Sequence, residues 1–260
     1  LSQFWLLFLS SASAGKETCT SNPICSLDIE AIFQSIGGTF VTPAPRIAEK
    51  LLSIRAFLFD WDGVFNSGTK GEGMTSLYSE PDSMGTNLMR FGQWLLHGAV
   101  PMTGIITALN NPTGFQLAKR EHFNSVYFGF KHKTEALNHL LEAYQLQPAE
   151  VAFVFDDAID LSAARLCGLR FFVSRTASPL LQRFVAQNGL ADYMSGNSGG
   201  NHAVREICEL ILGLQGQYDK VLAARMAFQG DFATYMAERN EVVTQFFTPA
   251  EGRVTTAVIT

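Results

Sequence analysis

Ala56-Phe57-Leu58-Phe59-Asp60-Trp61-Asp62-Gly63-Val64 is a short apolar run that ends in two carboxylates one residue apart, followed by glycine. A run of this length, preceded by Arg55 and closed by a glycine turn, reads as a buried parallel strand, which puts Asp60 and Asp62 at its carboxyl end. Open α/β sheets bind ligands at that edge. There one carboxylate can attack phosphorus while the other protonates a leaving oxygen. Taken alone the pattern also fits an ordinary turn, since Asp and Gly commonly follow strands.

Three further signals follow in order, each at the end of another apolar run. Thr103-Gly104-Ile105-Ile106-Thr107 ends in a hydroxyl that can hold a phosphate oxygen. Ser125-Val126-Tyr127-Phe128-Gly129 leads into Phe130-Lys131-His132-Lys133, where a lysine at a helix start can neutralise phosphate and orient a nucleophile. Val151-Ala152-Phe153-Val154-Phe155 runs into Asp156-Asp157-Ala158-Ile159-Asp160, an acidic cluster suited to a hard cation such as Mg2+. Singly, these are also a β-forming threonine, a solvated lysine and a helix-capping aspartate. It is the ordered set that points to phosphoryl transfer.

As a set, Asp60/Asp62, Thr107, Lys133 and Asp156/Asp157/Asp160 resemble the four motifs of the haloacid dehalogenase superfamily phosphatases. The resemblance runs from about Arg55 to Leu214. It implies an α/β, Rossmann-like three-layer sandwich with a mostly parallel central sheet. It further implies Mg2+ as cofactor, Asp60 as nucleophile forming an aspartyl-phosphate, and Asp62 as general acid and then base. Asp156 is then the side-chain metal ligand, the Asp62 backbone carbonyl joins it, and Asp157 and Asp160 stand behind or act through water.

From Asp62 to Thr107 is 45 positions and from Lys133 to Asp156 is 23, which leaves no room for a folded lid of ~50 or more residues. That resembles the branch without a cap domain and disfavours a phosphomutase. Residues 66–85 read as a β-hairpin flap over the site. Ser198-Gly199-Gly200-Asn201-His202-Ala203-Val204-Arg205-Glu206 joins a glycine turn to an amphipathic helix. Both segments resemble the capless, tetrameric phosphatases of sugar acid phosphates such as 3-deoxy-D-manno-octulosonate 8-phosphate. By that resemblance Gly199, Gly200, Arg205 and Asp82 are substrate-side candidates and the chain is a homotetramer. Three positions depart from the pattern: Ala108-Leu109 stands where Gly-Arg is usual, Phe155 where glycine is, and Pro81 where arginine is. The absent arginines remove cationic donors, with Arg205, Lys131, Arg90 and Lys70 as candidate replacements.

The expected function is therefore a Mg2+-dependent phosphomonoesterase for a phosphorylated sugar acid. The alternatives are a phosphatase of another small phosphometabolite and, from a different class, a non-catalytic scaffold or sensor. With 260 residues, 47% of them hydrophobic, and a net charge of −5, the chain can bury one substantial core and has no Lys/Arg-rich tract for nucleic acid. His97, His122, His132 and His202 lack zinc-ligand spacing; His132 and His202 are candidates to line the site.

The partition expected is a disordered or signal-like segment at 1–26, a helical lead-in at 27–54, the phosphatase core at 55–214, and a helical extension and tail at 215–260. Residues 1–14 carry an apolar run and small residues but no basic start, and the run is far short of the ~20 residues of a membrane span. A cytoplasmic location is expected, with export as the alternative, in which case Cys19 and Cys25 can pair. Cys167 and Cys208 should pack as small hydrophobes. The extension, with Gly230 as its break, needs a surface for its apolar stripe, either this core or another subunit.

Overall fold

The computed structural model describes residues 26–71 and 76–259. The signal-like segment, Cys19, Cys25 and the flap residues 72–75 lie outside the described residues. In chain order the elements begin with α1 (Ser26–Ser35), β1 (Thr39–Phe40), α2 (Ala44–Leu51), β2 (Ala56–Phe59), α3 (Glu80–His97) and β3 (Met102–Thr107). Then come α4 (Pro112–Glu121), β4 (Ser125–Phe128), α5 (Lys133–Ala143), β5 (Val151–Phe155), α6 (Leu161–Ala164) and β6 (Leu169–Phe172). The chain continues through α7 (Pro179–Gln187), β7 (Tyr193–Met194), α8 (Ala203–Leu214), α9 (Tyr218–Ala227), α10 (Asp231–Asn240), β8 (Gln245–Ala250) and β9 (Arg253–Thr256).

The strands form one nine-stranded sheet among the described residues, in the order β1-β7-β6-β5-β2-β3-β4-β8-β9. Pairing is parallel everywhere except at the two edges, β1 with β7 and β8 with β9. β2 sits in the middle with every residue buried, because both its faces are covered. Alternation along it divides the core. Phe57 and Phe59 pack under α1, α2, α4 and α8, whereas Ala56 and Leu58 pack under α5, α6 and α7. The result is the three-layer α/β sandwich expected, with no lid domain between the described strands.

Two expectations change. Glu80–Gly85, read as the end of a hairpin flap, is helix: Ser79 caps α3 by accepting from the Asp82 N–H at 3.2 Å, and Pro81 sits in the first turn. A capping serine followed by proline is helix-start chemistry, which a Gly/Ser-rich context disguised as a turn. Gln245–Phe247, read as the end of the helical extension, begins β8, and the tail from Glu251, in which the sequence shows no signal, carries β9. These extend the sheet beyond β4, so strands from both flanks of the 55–214 range complete it.

Part of the apolar stripe of the extension is buried within the chain, whereas Met226, Phe228 and Val243 stay exposed. Val221, Phe232 and Tyr235 bury against Leu88, Phe91 and Leu212 of α3 and α8, and Gly230 breaks α9 from α10. Cys167 and Cys208 are buried free thiols, 6% and 1% exposed. No helix among the described residues is long and apolar enough to cross a membrane.

Candidate active site

Register decides what converges. Phe59 lies opposite Ile105 of β3 and Val154 of β5, and Thr107 lies opposite Phe128 of β4. All these strands point the same way, so the residues just beyond them meet at one sheet edge. Asp60 and Asp62 follow β2, Thr107 closes β3, Lys133 opens α5 after β4, and Asp156 follows β5.

Asp60, Asp156 and Asp160 are buried, and each offers a carboxylate oxygen within 4.8 Å of the others. The ammonium of Lys133, only 1% exposed, lies 2.6 Å from Asp60 Oδ1 and also contacts Asp160 Oδ1. Burial pushes the Asp60 carboxyl above its ordinary range even against Lys133. Burial, then the Asp60 charge, pushes Asp160 up to about 7. Burial would push the lysine down, but the two carboxylates more than offset it and hold it up. Asp156 Oδ1 is buried with no hydrogen-bond partner, while Oδ2 contacts the Arg175 guanidinium. Three clustered carboxylates and an orphaned oxygen fit a hard divalent cation.

Asp62 faces a different set. Its Oδ1 accepts from Ser76 Oγ at 2.8 Å and pairs with Lys70 Nζ at 2.7 Å. Its Oδ2 accepts from Asn111 Nδ2 at 3.0 Å, and the same amide donates to Thr107 Oγ1 at 2.8 Å. Lys70 in turn donates to Asn111 Oδ1 at 2.6 Å. With an acceptor role already filled, the Thr107 hydroxyl keeps its own proton for an incoming oxygen.

The remaining candidates spread out. The Asp157 side chain stays outside the acidic cluster; it is exposed and accepts from the Ala158 N–H at 2.6 Å, capping the next turn. Asp82 is fully buried, accepting from the Arg205 N–H at 2.9 Å, so it ties α3 to the start of α8 instead of facing a substrate. Arg205 pairs with Glu209 at 2.6 Å. Arg90 is buried on the backbone carbonyls of Glu121 and His122, far from any replacement role, and Lys131 is exposed. His132 pairs with Glu135 at 3.5 Å, and His202 meets Ser79 Oγ at 3.1 Å.

Gly199 and Gly200 lie against the turn that carries Asp62. A Cβ on Gly199 would stand 2.0 Å from the Gly63 carbonyl oxygen and 2.6 Å from that of Asn66. Gly199→Ala should therefore displace the 63–67 turn and lower stability by about 1–3 kcal/mol in urea unfolding, with a parallel fall in any Asp62-dependent activity. An unchanged unfolding midpoint would show that this contact is not tight.

Four residues in the site carried little sequence signal. Asn111 precedes Pro112 at the start of α4, four places past Thr107, and nothing in the sequence marks it as a bridge between Thr107 and Asp62. Ser76 is brought in by the chain's return toward α3. Lys70, seen only as a spare cation, is a partner of Asp62. Arg175 follows β6 and so belongs to the same sheet edge, the one clue to its position.

No family model matches the chain. Over 95 residues it is 37% identical to the 3-deoxy-D-manno-octulosonate 8-phosphate phosphatase KdsC of Escherichia coli (strain K12), covering 36% of this chain and 47% of that one. The chain thus spans about half the length of the curated relatives it matches at that identity. A solved 3-deoxy-D-manno-octulosonate 8-phosphate phosphatase from Moraxella catarrhalis, in complex with magnesium ion, phosphate ion and KDO, aligns with a TM-score of 0.58 at 28% identity, covering 71% of this chain and 98% of that one. A hydrolase of the HAD superfamily (subfamily III A) from Legionella pneumophila aligns with a TM-score of 0.59 at 25% identity, covering 76% and 98%.

Proposed function

We propose, for a chain that resembles the haloacid dehalogenase superfamily phosphatases in sequence and fold, that it is a Mg2+-dependent phosphomonoesterase acting on a phosphorylated sugar acid through an aspartyl-phosphate. The observation that carries this reading is the division of labour between two aspartates. Asp60 is buried with Lys133 beside the acidic cluster, and Asp62 is held apart by Ser76, Lys70 and Asn111.

Asp60, Asp156 and Asp160 would hold the cation. When bound, magnesium supplies positive charge against the phosphoryl oxygens. Lys133 fixes one Asp60 oxygen at 2.6 Å and sets the carboxylate's orientation. The other oxygen forms a bond to phosphorus as the ester P–O bond breaks, its electron pair leaving on the sugar oxygen. Asp62 delivers the proton that this oxygen takes up. It then accepts a proton from the water that attacks phosphorus and releases Asp60 from the phosphoryl group. Thr107 donates to a phosphoryl oxygen while Asn111 keeps its hydroxyl oriented. By the same resemblance the working assembly is a homotetramer.

A second reading has its own support. Leu109 stands half exposed, 50%, just past Thr107, where the resembled enzymes carry arginine. An apolar side chain there favours a phosphomonoester with fewer anionic groups than a sugar acid.

The test is phosphate release by the purified protein, with Mg2+ and with EDTA, over sugar acid phosphates and hexose phosphates. Magnesium-dependent release, strongest with a 3-deoxy sugar acid phosphate, is the expected result. Preference for hexose phosphates would move the substrate to the second reading, and no release from any ester would overturn both.

A further inference from the structure

The acidic cluster has a cation of its own. Three carboxyl groups share the single ammonium of Lys133 in a buried site. Arg175 supplies one positive charge, with its Nη2 on Asp156 Oδ2. The contact sits on Gly63, the residue directly after Asp62. A Cβ built there would lie 2.1 Å from Asp156 Oδ2 and 2.5 Å from Arg175 Nη2. The guanidinium thus fills the gap between the Asp62-Gly63 turn and Asp156.

The two ends of Arg175 are held very differently. Its backbone is pinned, the carbonyl accepting from Gln182 Nε2 at 2.6 Å and from the Ser178 N–H at 3.1 Å. The preceding N–H, that of Ser174, donates to Ser195 Oγ at 3.1 Å. The side chain is 33% exposed, whereas that of Asp156 is 2% exposed. The guanidinium can therefore swing into solvent without moving the loop, and Asp156 cannot follow it.

We infer that Arg175 is a built-in counter-ion for Asp156, held on Oδ2 beside the unpartnered Oδ1, so that the guanidinium and a bound divalent cation compete for the same carboxylate. The inference rests on the proposed metal-dependent reading of the site. A guanidinium brings one positive charge to the cluster and a divalent ion two, so the ion wins at sufficient concentration. A buried carboxylate without a compensating charge is strongly unfavourable, so Arg175 also lowers the cost of burying Asp156. It thereby sets the affinity for the metal, a role that none of the four motifs has.

The experiment is isothermal titration of the full chain with MgCl2, alongside thermal melts with and without Mg2+, for the wild type, Arg175→Gln and Arg175→Lys. Loss of the positive charge that competes for Asp156 should tighten the Mg2+ dissociation constant of Arg175→Gln by about ten- to a hundred-fold. Without Mg2+ this variant should melt below the wild type, and Mg2+ should raise its melting temperature by more. Arg175→Lys, which keeps a charge but loses the planar fork, should fall between the two and serves if the glutamine variant does not fold. Dissociation constants equal within twofold, or weaker in the variants, would overturn the inference while leaving metal binding intact. An absence of Mg2+ binding in all three proteins would instead overturn the metal-dependent reading, and the inference with it.

Discussion

Asp60→Asn should abolish phosphate release while leaving the fold intact. The amide cannot attack phosphorus, and removal of a covalent nucleophile lowers turnover by at least ~10^3-fold. Stability should hold, because Lys133 keeps its contact with Asp160 and the lost carboxylate is one that burial already disfavours in its charged form. The measurement pairs steady-state phosphate release with a thermal melt. Full activity in a folded variant would sink the nucleophile assignment, and a variant that unfolds would show that the Asp60–Lys133 pair is structural first.

Glu206→Ala should produce the largest loss of stability of any single change at the site's periphery. The Glu206 carboxylate is 6% exposed and gathers the end of the sheet: Oε1 accepts from Tyr193 Oη at 2.6 Å and from the Gly196 N–H at 2.8 Å. Oε2 accepts from both the backbone N–H and the side-chain amide of Asn197, each at 2.8 Å. Truncation strands the buried Tyr193 hydroxyl and three part-buried donors of Gly196 and Asn197, for an expected loss of about 3–4 kcal/mol in urea unfolding. Glu206→Gln should lose roughly half as much, since its amide nitrogen meets donors on one side only. A loss below about 1 kcal/mol for the alanine variant would mean that water replaces the carboxylate there.

The central sheet and the four motifs were legible because they are local. β2 is a four-residue apolar run closed by Asp60, and β3, β4 and β5 repeat that grammar, so strand ends and chemistry coincide in sequence. The site's supporting residues were not legible because their partners are distant. Nothing near Asn111 announces that its amide reaches Asp62, 49 positions away, and nothing near Arg175 announces Asp156. The Ser198–Glu206 segment shows the same limit. Its glycines and Arg205 read as substrate-side candidates, and the ties that Glu206 makes to the 196–197 turn and Gly199 to the Asp62 turn were not legible, because their partners lie outside the motif. The strands β8 and β9 were missed because β8 gains its reason only from β4, far upstream.

That last pairing has a consequence for biosynthesis. β4 lies next to Lys133 in the chain, and its outer edge is covered only by β8, with Ser125 opposite Gln245, a separation of 120 positions. At translation rates of ~5–20 residues per second, roughly 6–24 s pass between the emergence of the two strands. Throughout that interval a nascent chain that already carries Asp60, Thr107 and Lys133 presents an open apolar strand edge, the template on which misassembly begins. The sheet edge beside the lysine corner of the site is thus covered at the ribosome only by a hairpin made after all four motifs.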